Sequence, residues 1–225
     1  MCEERSQTVS VLIKFGAEEH IQQLRSRGLL HMKRLDYFRR TEEDLPLRFD
    51  RWEGADHVIQ PGRGHISLNG IRFDLAGPGL LWKGGPPLPH VFCAYALTAE
   101  RVRAAHERDT VIVDERNAGW GTHALAILDV PTFLKRAGAA FRELSLGYWE
   151  GLVEYVADDY AGELGAFRKR EMFRYQSEFR FAVNGCADDV LGVEIGSLED
   201  ISTLVEAKVA MALEAEFVEV ERSST

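Results

Sequence analysis

Cysteine is scarce in this sequence of 225 residues, and the three that occur, Cys2, Cys93 and Cys186, lie far apart. There is no CxxC pair, so neither a zinc site nor a disulfide framework is expected. The seven histidines show no metal-ligand spacing with one another or with cysteine, and we expect no metal. Isolated thiols of this kind suit a reducing cytoplasm.

Long apolar runs are also missing. No stretch approaches the roughly 20 apolar residues that a spanning helix needs. The first residues, MCEERSQT, are acidic and polar, unlike a secretory signal. We therefore expect a cytoplasmic protein without membrane association. The hydrophobic share of 45% and charged share of 28% are ordinary for one globular domain, here expected over residues 1–225.

The usual nucleotide and hydrolase motifs are absent as well. The chain has no GxxxxGK[ST] loop, no GxGxxG after a strand, no GxSxG elbow and no HExxH pair. The net charge of -9 disfavours non-specific nucleic-acid binding by the whole surface. Candidate catalytic or binding residues must therefore be sought in patterns other than these motifs.

The hydrophobic pattern predicts a β-α-β opening. Val9–Phe15 reads as a strand and Ala17–Arg27 as a helix stopped by Gly28, and Leu29–Lys33 reads as a second strand. Asn69-Gly70 between two alternating runs predicts a hairpin. Further strands are expected at 91–97, 110–113, 124–130, 151–156, 177–183 and 190–195, and helices at 99–107, 132–144 and 197–207.

The remaining segments complete the expected fold. Residues 77–89 are rich in Gly and Pro and read as an irregular connector without a helix. The tail from Val209 to Glu221 alternates in its second half and is expected to form a last strand. Strands outnumber helices and several connections are too short for parallel crossovers. The fold class predicted is α+β, with a mixed, largely antiparallel sheet and a few short helices.

The loop LRFDRWEG packs charges and aromatic rings closely together. Trp52 could stack on a planar ring, and Arg48 could hold a phosphate with two parallel hydrogen bonds. The alternative is a salt-bridged structural loop, with Trp52 pinned under the sheet. The sequence leaves both readings open.

The most informative stretch is FRKREMFRYQSEFRFAV, which ends in a period-two alternation typical of a half-buried strand. Glu178 and Arg180 would share one face of it, and Phe179 and Phe181 the other. A carboxylate there can accept a bond from a ribose hydroxyl and stabilise an oxocarbenium-like centre, with Gln176 on the same strand face orienting a nucleophile.

Two plainer readings apply to the same stretch. Glu178 could form a structural ion pair with Arg180 or Arg174, worth at most about 1 kcal/mol if exposed. The basic run around it would then be a solvated face, formed by Arg168, Lys169, Arg170 and Arg174.

The order of these elements, with Gln176 and Glu178 at a late strand, resembles the ADP-ribosyltransferase-like fold of many small bacterial and phage proteins. In that family a first strand carries a basic residue that touches NAD, a middle strand a small-hydroxyl motif followed by an aromatic, and a late strand the catalytic glutamate, often as QxE or ExE. This chain has Lys14 where the family usually has Arg or His. Its middle strand offers Tyr95 and Thr98 without Ser-Thr-Ser.

The resemblance implies NAD as cofactor, in a cleft between the first-strand unit and the late strands. It implies Glu178 as the catalytic acid and Gln176 as the residue that aligns an acceptor on protein or nucleic acid. The cofactor-binding residues implied in this way are Lys14, Arg48, Trp52, Tyr95, Thr98 and Arg180.

A second resemblance is to uncharacterised phage and bacterial proteins that open with a strand, a short helix, Gly-Leu-Leu and a strand, and end in an FxK…FxYQxExR run. This chain shows LRSRGLLHMKRLDYF, RFDRWEG and FRKREMFRYQSEFRF. Two hypotheses result. One is a NAD-dependent ADP-ribosyltransferase. The other is a non-catalytic binding or accessory protein, phage- or defence-related, in which Glu178 and Arg180 are a structural ion pair. The oligomeric state is left open.

Overall fold

The computed structural model describes residues 8–37, 50–82, 88–108, 110–185 and 188–213. The helices within these ranges are α1 Glu18–Arg27, α2 Ala99–Arg108, α3 Val130–Glu143 and α4 Ala207–Met211, with 3-10 helices at Glu115–Trp120 and Glu171–Gln176. The strands in the same ranges are β1 Val9–Gly16, β2 Leu29–Arg34, β3 His57–Ile59, β4 His65–Leu68, β5 Ile71–Asp74, β6 Gly79–Leu81, β7 His90–Thr98, β8 His123–Ile127, β9 Tyr148–Leu152, β10 Glu154–Val156, β11 Gly162–Glu163, β12 Arg168–Arg170, β13 Glu178–Val183, β14 Val190–Glu194 and β15 Ser202–Glu206.

One large antiparallel sheet organises the chain. Six of its strands run in the order β14-β2-β7-β1-β8-β15. In addition, β13 pairs with β7 on one side and with β9 on the other. The smaller sheets are β11-β3-β6, the hairpin β4-β5 and the parallel pair β10-β12. The predicted α+β class with a largely antiparallel sheet is confirmed.

The sheet splits beside its central strand. β13 pairs with one edge of β7 along residues 90–95, so β1 and β2 must share the other edge. β1 pairs there with residues 95–98, and β2 pairs only with residues 90 and 91. Among the described residues, no strand therefore pairs with Phe92 to Ala94 on this edge, and a gap opens between β1 and β2.

The predicted β-α-β opening is confirmed, and α1 joins the two strands that diverge. The helix ends at Gly28, whose backbone adopts the left-handed conformation with φ 65°. A Cβ atom there would lie 2.1 Å from the carbonyl oxygen of Gly196, so only glycine fits. Ile21 and Leu24 of α1 are buried against the sheet.

The two faces of the main sheet have different cores. The α1 and α3 side is filled by aromatic rings, among them Phe92, Phe133, Phe141, Phe179 and Phe181. Neighbouring rings lie 5.4–6.5 Å apart in tilted and edge-to-face arrangements, the geometry that aromatic pairs favour. This core fixes the orientation of β13, whose other face carries the candidate site.

Three sequence-based assignments were wrong. Residues 197–207 were expected to be a helix, yet 202–206 form β15, because their backbone pairs with the edge of β8. Residues 110–113 form no strand. The connector 77–89 contains β6, which pairs with β3. The predicted tail strand at 209–221 lies mostly outside the described residues, and its first residues continue α4.

Candidate ligand cleft and buried charge network

A cavity of about 220 Å³ occupies the gap between β1 and β2. We call it the sheet cleft, and its inner wall is the open edge of β7. Its lining includes four basic side chains, Lys14, Lys33, Lys169 and Arg180, and two carboxylates, Glu53 and Glu178. Basic groups thus outnumber acidic ones, which favours an anionic ligand.

Lys14 lies at the point where the sheet splits. Its Nζ donates a hydrogen bond of 2.7 Å to the carbonyl oxygen of Cys93, which the open edge would otherwise leave unpaired. The same Nζ lies 4.7 Å from the centre of the Phe92 ring. Burial lowers the pKa of Lys14. Lys14 is partly buried, and the charge of Glu178 opposes this lowering without outweighing it. Among the described residues, no carboxylate forms an ion pair with its amine.

Glu178 forms part of the floor of the sheet cleft and is only 6% exposed. One carboxylate oxygen accepts from Lys169 Nζ at 2.7 Å, and the other accepts from Arg180 Nε at 2.7 Å. Burial by itself raises the pKa of Glu178, but the two adjacent cations outweigh it and bring the pKa down to about 2. The side chain is therefore a carboxylate at neutral pH.

Glu53 closes the network from the loop before β3. It accepts from the Arg180 guanidinium and lies 3.3 Å from Lys169 Nζ. Arg180 also donates to the carbonyl oxygen of Ala166 at 2.6 Å. Glu53, Glu178, Lys169 and Arg180, here called the charge ring, are each no more than 6% exposed. Their formal charges cancel, which is the condition under which burial of charges is tolerated.

Gln176 occupies a different position from the one predicted. It ends the 3-10 helix that precedes β13, and Ser177 then adopts a left-handed backbone with φ 41°. This turn removes Gln176 from β13, although Gln176 and Glu178 still line one small cavity. The side-chain oxygen of Gln176 accepts from Lys169 Nζ at 2.8 Å, the same amine that bonds Glu178. In this geometry it supports the charge ring.

Tyr95 and Thr98 lie on the same strand as the open edge. Tyr95 pairs directly with Glu178 across β7 and β13. Together with Lys14 it lines a side cavity of about 60 Å³. Its hydroxyl donates to the carbonyl of Ile112 at 2.8 Å, and burial raises its pKa to about 12. Thr98 is further away, where its hydroxyl oxygen accepts from the backbone N–H of Arg101 at the start of α2.

The described part of the charged loop, residues 50–54, is salt-bridged, and its Glu53 also lines the sheet cleft. Trp52 is 2% exposed and packs with Ala55 and Val58 in a separate cluster, so its ring is not presented to the sheet cleft. Asp50 bonds the Nε of Arg170 at 3.0 Å. Arg48 lies outside the described residues.

The mouth of the sheet cleft is formed by α1 and β2. His20 and His31 stack there with ring centres 5.7 Å apart. Burial, with His20 and Lys33 nearby, lowers the pKa of His31. Lys33 Nζ lies 4.0 Å from the centre of the Tyr37 ring. A planar, negatively charged group entering the cleft would meet these rings first.

Two members of the charge ring were not singled out from the sequence. Lys169 was assigned to a solvated basic face, but it is 3% exposed. The signal was present in the strand period, since Lys169 is the middle residue of β12 and must point away from the side of Arg168 and Arg170. Arg174, offered as a partner of Glu178, pairs with Glu171 instead. Glu53 carries no local signal for its role.

The chain matches no protein-family model, and no curated protein or solved structure proved similar to it. Across the described residues, no three His, Cys, Asp or Glu side chains are grouped as metal ligands. In the same ranges, no helix combines the length and apolar character that crossing a membrane requires.

Proposed function

We propose that this chain binds an anionic nucleotide in the sheet cleft, and that the nucleotide is NAD. The observation that carries the proposal is that Lys14, a partly buried amine with no ion-paired carboxylate among the described residues, shares a cavity with Glu178. A phosphate within reach of Lys14 would supply the missing charge and recover part of the cost of burying the amine. NAD also agrees with the position of Lys14 on β1, because in the ADP-ribosyltransferase-like family that the sequence resembles a basic residue of the first strand touches NAD.

The size of the sheet cleft limits how NAD could be held. About 220 Å³ is below the roughly 300–1,000 Å³ of pockets that enclose a drug-sized ligand. The cavity therefore accommodates one part of the dinucleotide, which we assign to the nicotinamide ribose and its phosphate. The remainder would extend past His20 and His31 at the mouth.

Glu178 has the ionisation state that glycosidic cleavage needs. A carboxylate with a pKa of about 2 gives no proton at neutral pH, so its role would be to accept a bond from a ribose hydroxyl and to stabilise positive charge at C1′. A carboxylate has about four acceptor positions, and Lys169 and Arg180 use two. The bond from C1′ to nicotinamide would break with its electron pair on nicotinamide. A nucleophile of a protein or nucleic-acid acceptor, or water when no acceptor is present, would then bond C1′ and lose its proton to solvent.

The first experiment measures nicotinamide released from NAD by the parent protein and by Glu178→Gln, which keeps the shape and removes the charge. We expect release by the parent and a loss of about 100-fold or more in the variant, because the charge at C1′ is no longer stabilised. Glu171→Gln, at an exposed ion pair, is the matched control and should behave as the parent. Equal release by parent and Glu178→Gln contradicts the catalytic role, provided circular dichroism shows both folded.

A second candidate is a non-catalytic binding or accessory protein. It is favoured by one observation, namely that both oxygens of Glu178 are bonded inside a charge ring that is almost completely buried. Glu178 and Arg180 would then serve only the structure. This alternative predicts no nicotinamide release by the parent and no rise of its melting temperature with NAD, since only a ligand that binds the native state raises it.

A further inference from the structure

The hairpin of β4 and β5 has one entirely apolar face that is exposed. In its register, Ile66 lies opposite Phe73 and Leu68 opposite Ile71, so these four side chains share a face. Each of them is 49–64% exposed. Among the described residues, no third strand pairs with the hairpin.

Such a ribbon is incomplete by itself. An isolated two-stranded hairpin is at best marginally stable in water and gains stability from a further strand or a packed partner. Four large side chains exposed to this extent present roughly 400 Å² of apolar surface, a patch size that is often functional on monomers. In the described part of the chain, nothing pairs with the outer edge of β5, so that edge is open to a partner.

On the outer edge of β5, the backbone N–H and C=O groups that point outward belong to two charged residues. Asn69 and Gly70 both have positive φ, the two-residue turn that makes Leu68 and Ile71 the first hydrogen-bonded pair. Bonded and non-bonded pairs alternate from there. The N–H and C=O groups of the second and fourth residues of β5, Arg72 and Asp74, consequently point away from β4.

This edge is complementary to a second copy of itself. If two β5 strands pair antiparallel about Phe73, Arg72 of each copy lies opposite Asp74 of the other. Arg72 and Asp74 are the residues whose backbone N–H and C=O groups point outward. Each of the two Arg72–Asp74 pairs between the copies therefore forms backbone hydrogen bonds as well as a side-chain charge pair. The two Phe73 rings meet on the apolar face, at a non-bonded pair where side chains are closest.

We propose that this chain forms a twofold-symmetric dimer by antiparallel pairing of β5 with β5 of a second copy. The contact is isologous and closes on itself, so it produces a dimer and not a fibre. Edge pairing sets the two apolar faces side by side on one surface of a four-stranded ribbon and buries far less than the about 1,600 Å² of a standard stable interface, so the dimer is weak. Within each copy Arg72 and Asp74 already contact each other at 2.9 Å, which holds both charges at the edge.

The dimer is tested by sedimentation equilibrium from micromolar to sub-millimolar protein. The weight-average mass of the parent should rise from 25.4 kDa towards twice that value. Phe73→Glu places two like charges on the twofold axis and should remain at 25.4 kDa throughout. Leu128→Glu, at another exposed apolar side chain, is the control and should dimerise as the parent does.

The register is tested by charge reversal. Arg72→Asp and Asp74→Arg should each be monomeric alone, because like charges then face each other across the axis. An equimolar mixture of the two should associate again, since every cross-axis pair is once more opposite in charge. A mixture that stays monomeric while the parent dimerises overturns this pairing.

The remaining outcomes also decide the proposal. A parent mass of 25.4 kDa at every concentration overturns it. If that monomer co-sediments with phosphatidylcholine vesicles and Phe73→Glu does not, the apolar face binds a lipid surface instead.

Discussion

Replacing Arg180 with methionine is expected to lower the free energy of unfolding by about 3–5 kcal/mol. The side chain is 2% exposed and neutralises Glu178 and Glu53 at the same time. Its removal leaves two buried carboxylates with only Lys169 between them, and the carbonyl of Ala166 loses its donor. The measurement is urea denaturation followed by circular dichroism.

The matched control is Arg174→Met, in the same basic run and five residues after Lys169. Arg174 pairs with Glu171, and both side chains are about half exposed or more. Exposed pairs contribute at most about 1 kcal/mol, so the control should remain close to the parent. Equal losses of unfolding free energy in the two variants would show that the buried charge ring stabilises the fold no more than an exposed ion pair does.

The second large effect is a loss of stability at acidic pH. The pKa of Glu178 is lowered from 4.5 to about 2 in the folded chain, so the unfolded chain binds this proton first as the pH falls. Its stabilising contribution is complete above the unfolded pKa and is lost as the pH falls through the folded one. Between about pH 5 and pH 2 the parent should lose on the order of 3 kcal/mol from this group.

The comparison that isolates this loss uses Glu178→Gln, which has no proton to bind. Its free energy of unfolding is expected to start lower than that of the parent and to fall less steeply below pH 5. Glu171→Gln is again the control, because the carboxylate it removes is exposed to solvent. Parallel pH profiles for parent and Glu178→Gln would mean that Glu178 titrates as an ordinary surface acid.

Local patterns predicted much of the fold. The alternation of Phe179, Arg180 and Phe181 identified β13 and the shared face of Glu178 and Arg180, because side-chain direction in a strand follows from residue parity. Asn69-Gly70 identified the hairpin for a similar reason, since few residue pairs tolerate two positive φ angles.

The missed features depend on contacts between distant parts of the chain. Glu53 meets Arg180 across 127 positions, and no spacing rule connects them. β15 forms because β8 offers it an edge, which overrides a segment whose apolar spacing also fits a helix. The split beside β7 likewise depends on how β1, β2 and β13 pair with that strand, so no local pattern predicts the cavity between β1 and β2. Only the family resemblance implied a cleft shared by Lys14 and Glu178.

The most direct test of the sheet cleft is calorimetric titration of NAD into the parent and into Lys14→Met at neutral pH. The account predicts one site per chain in the parent and an affinity at least about tenfold lower in the variant, since a charge-assisted bond to phosphate is lost. Lys208→Met, at an exposed pair with Glu206, should bind as the parent does. Unchanged affinity in Lys14→Met, or no binding by the parent, would contradict the assignment of the cleft.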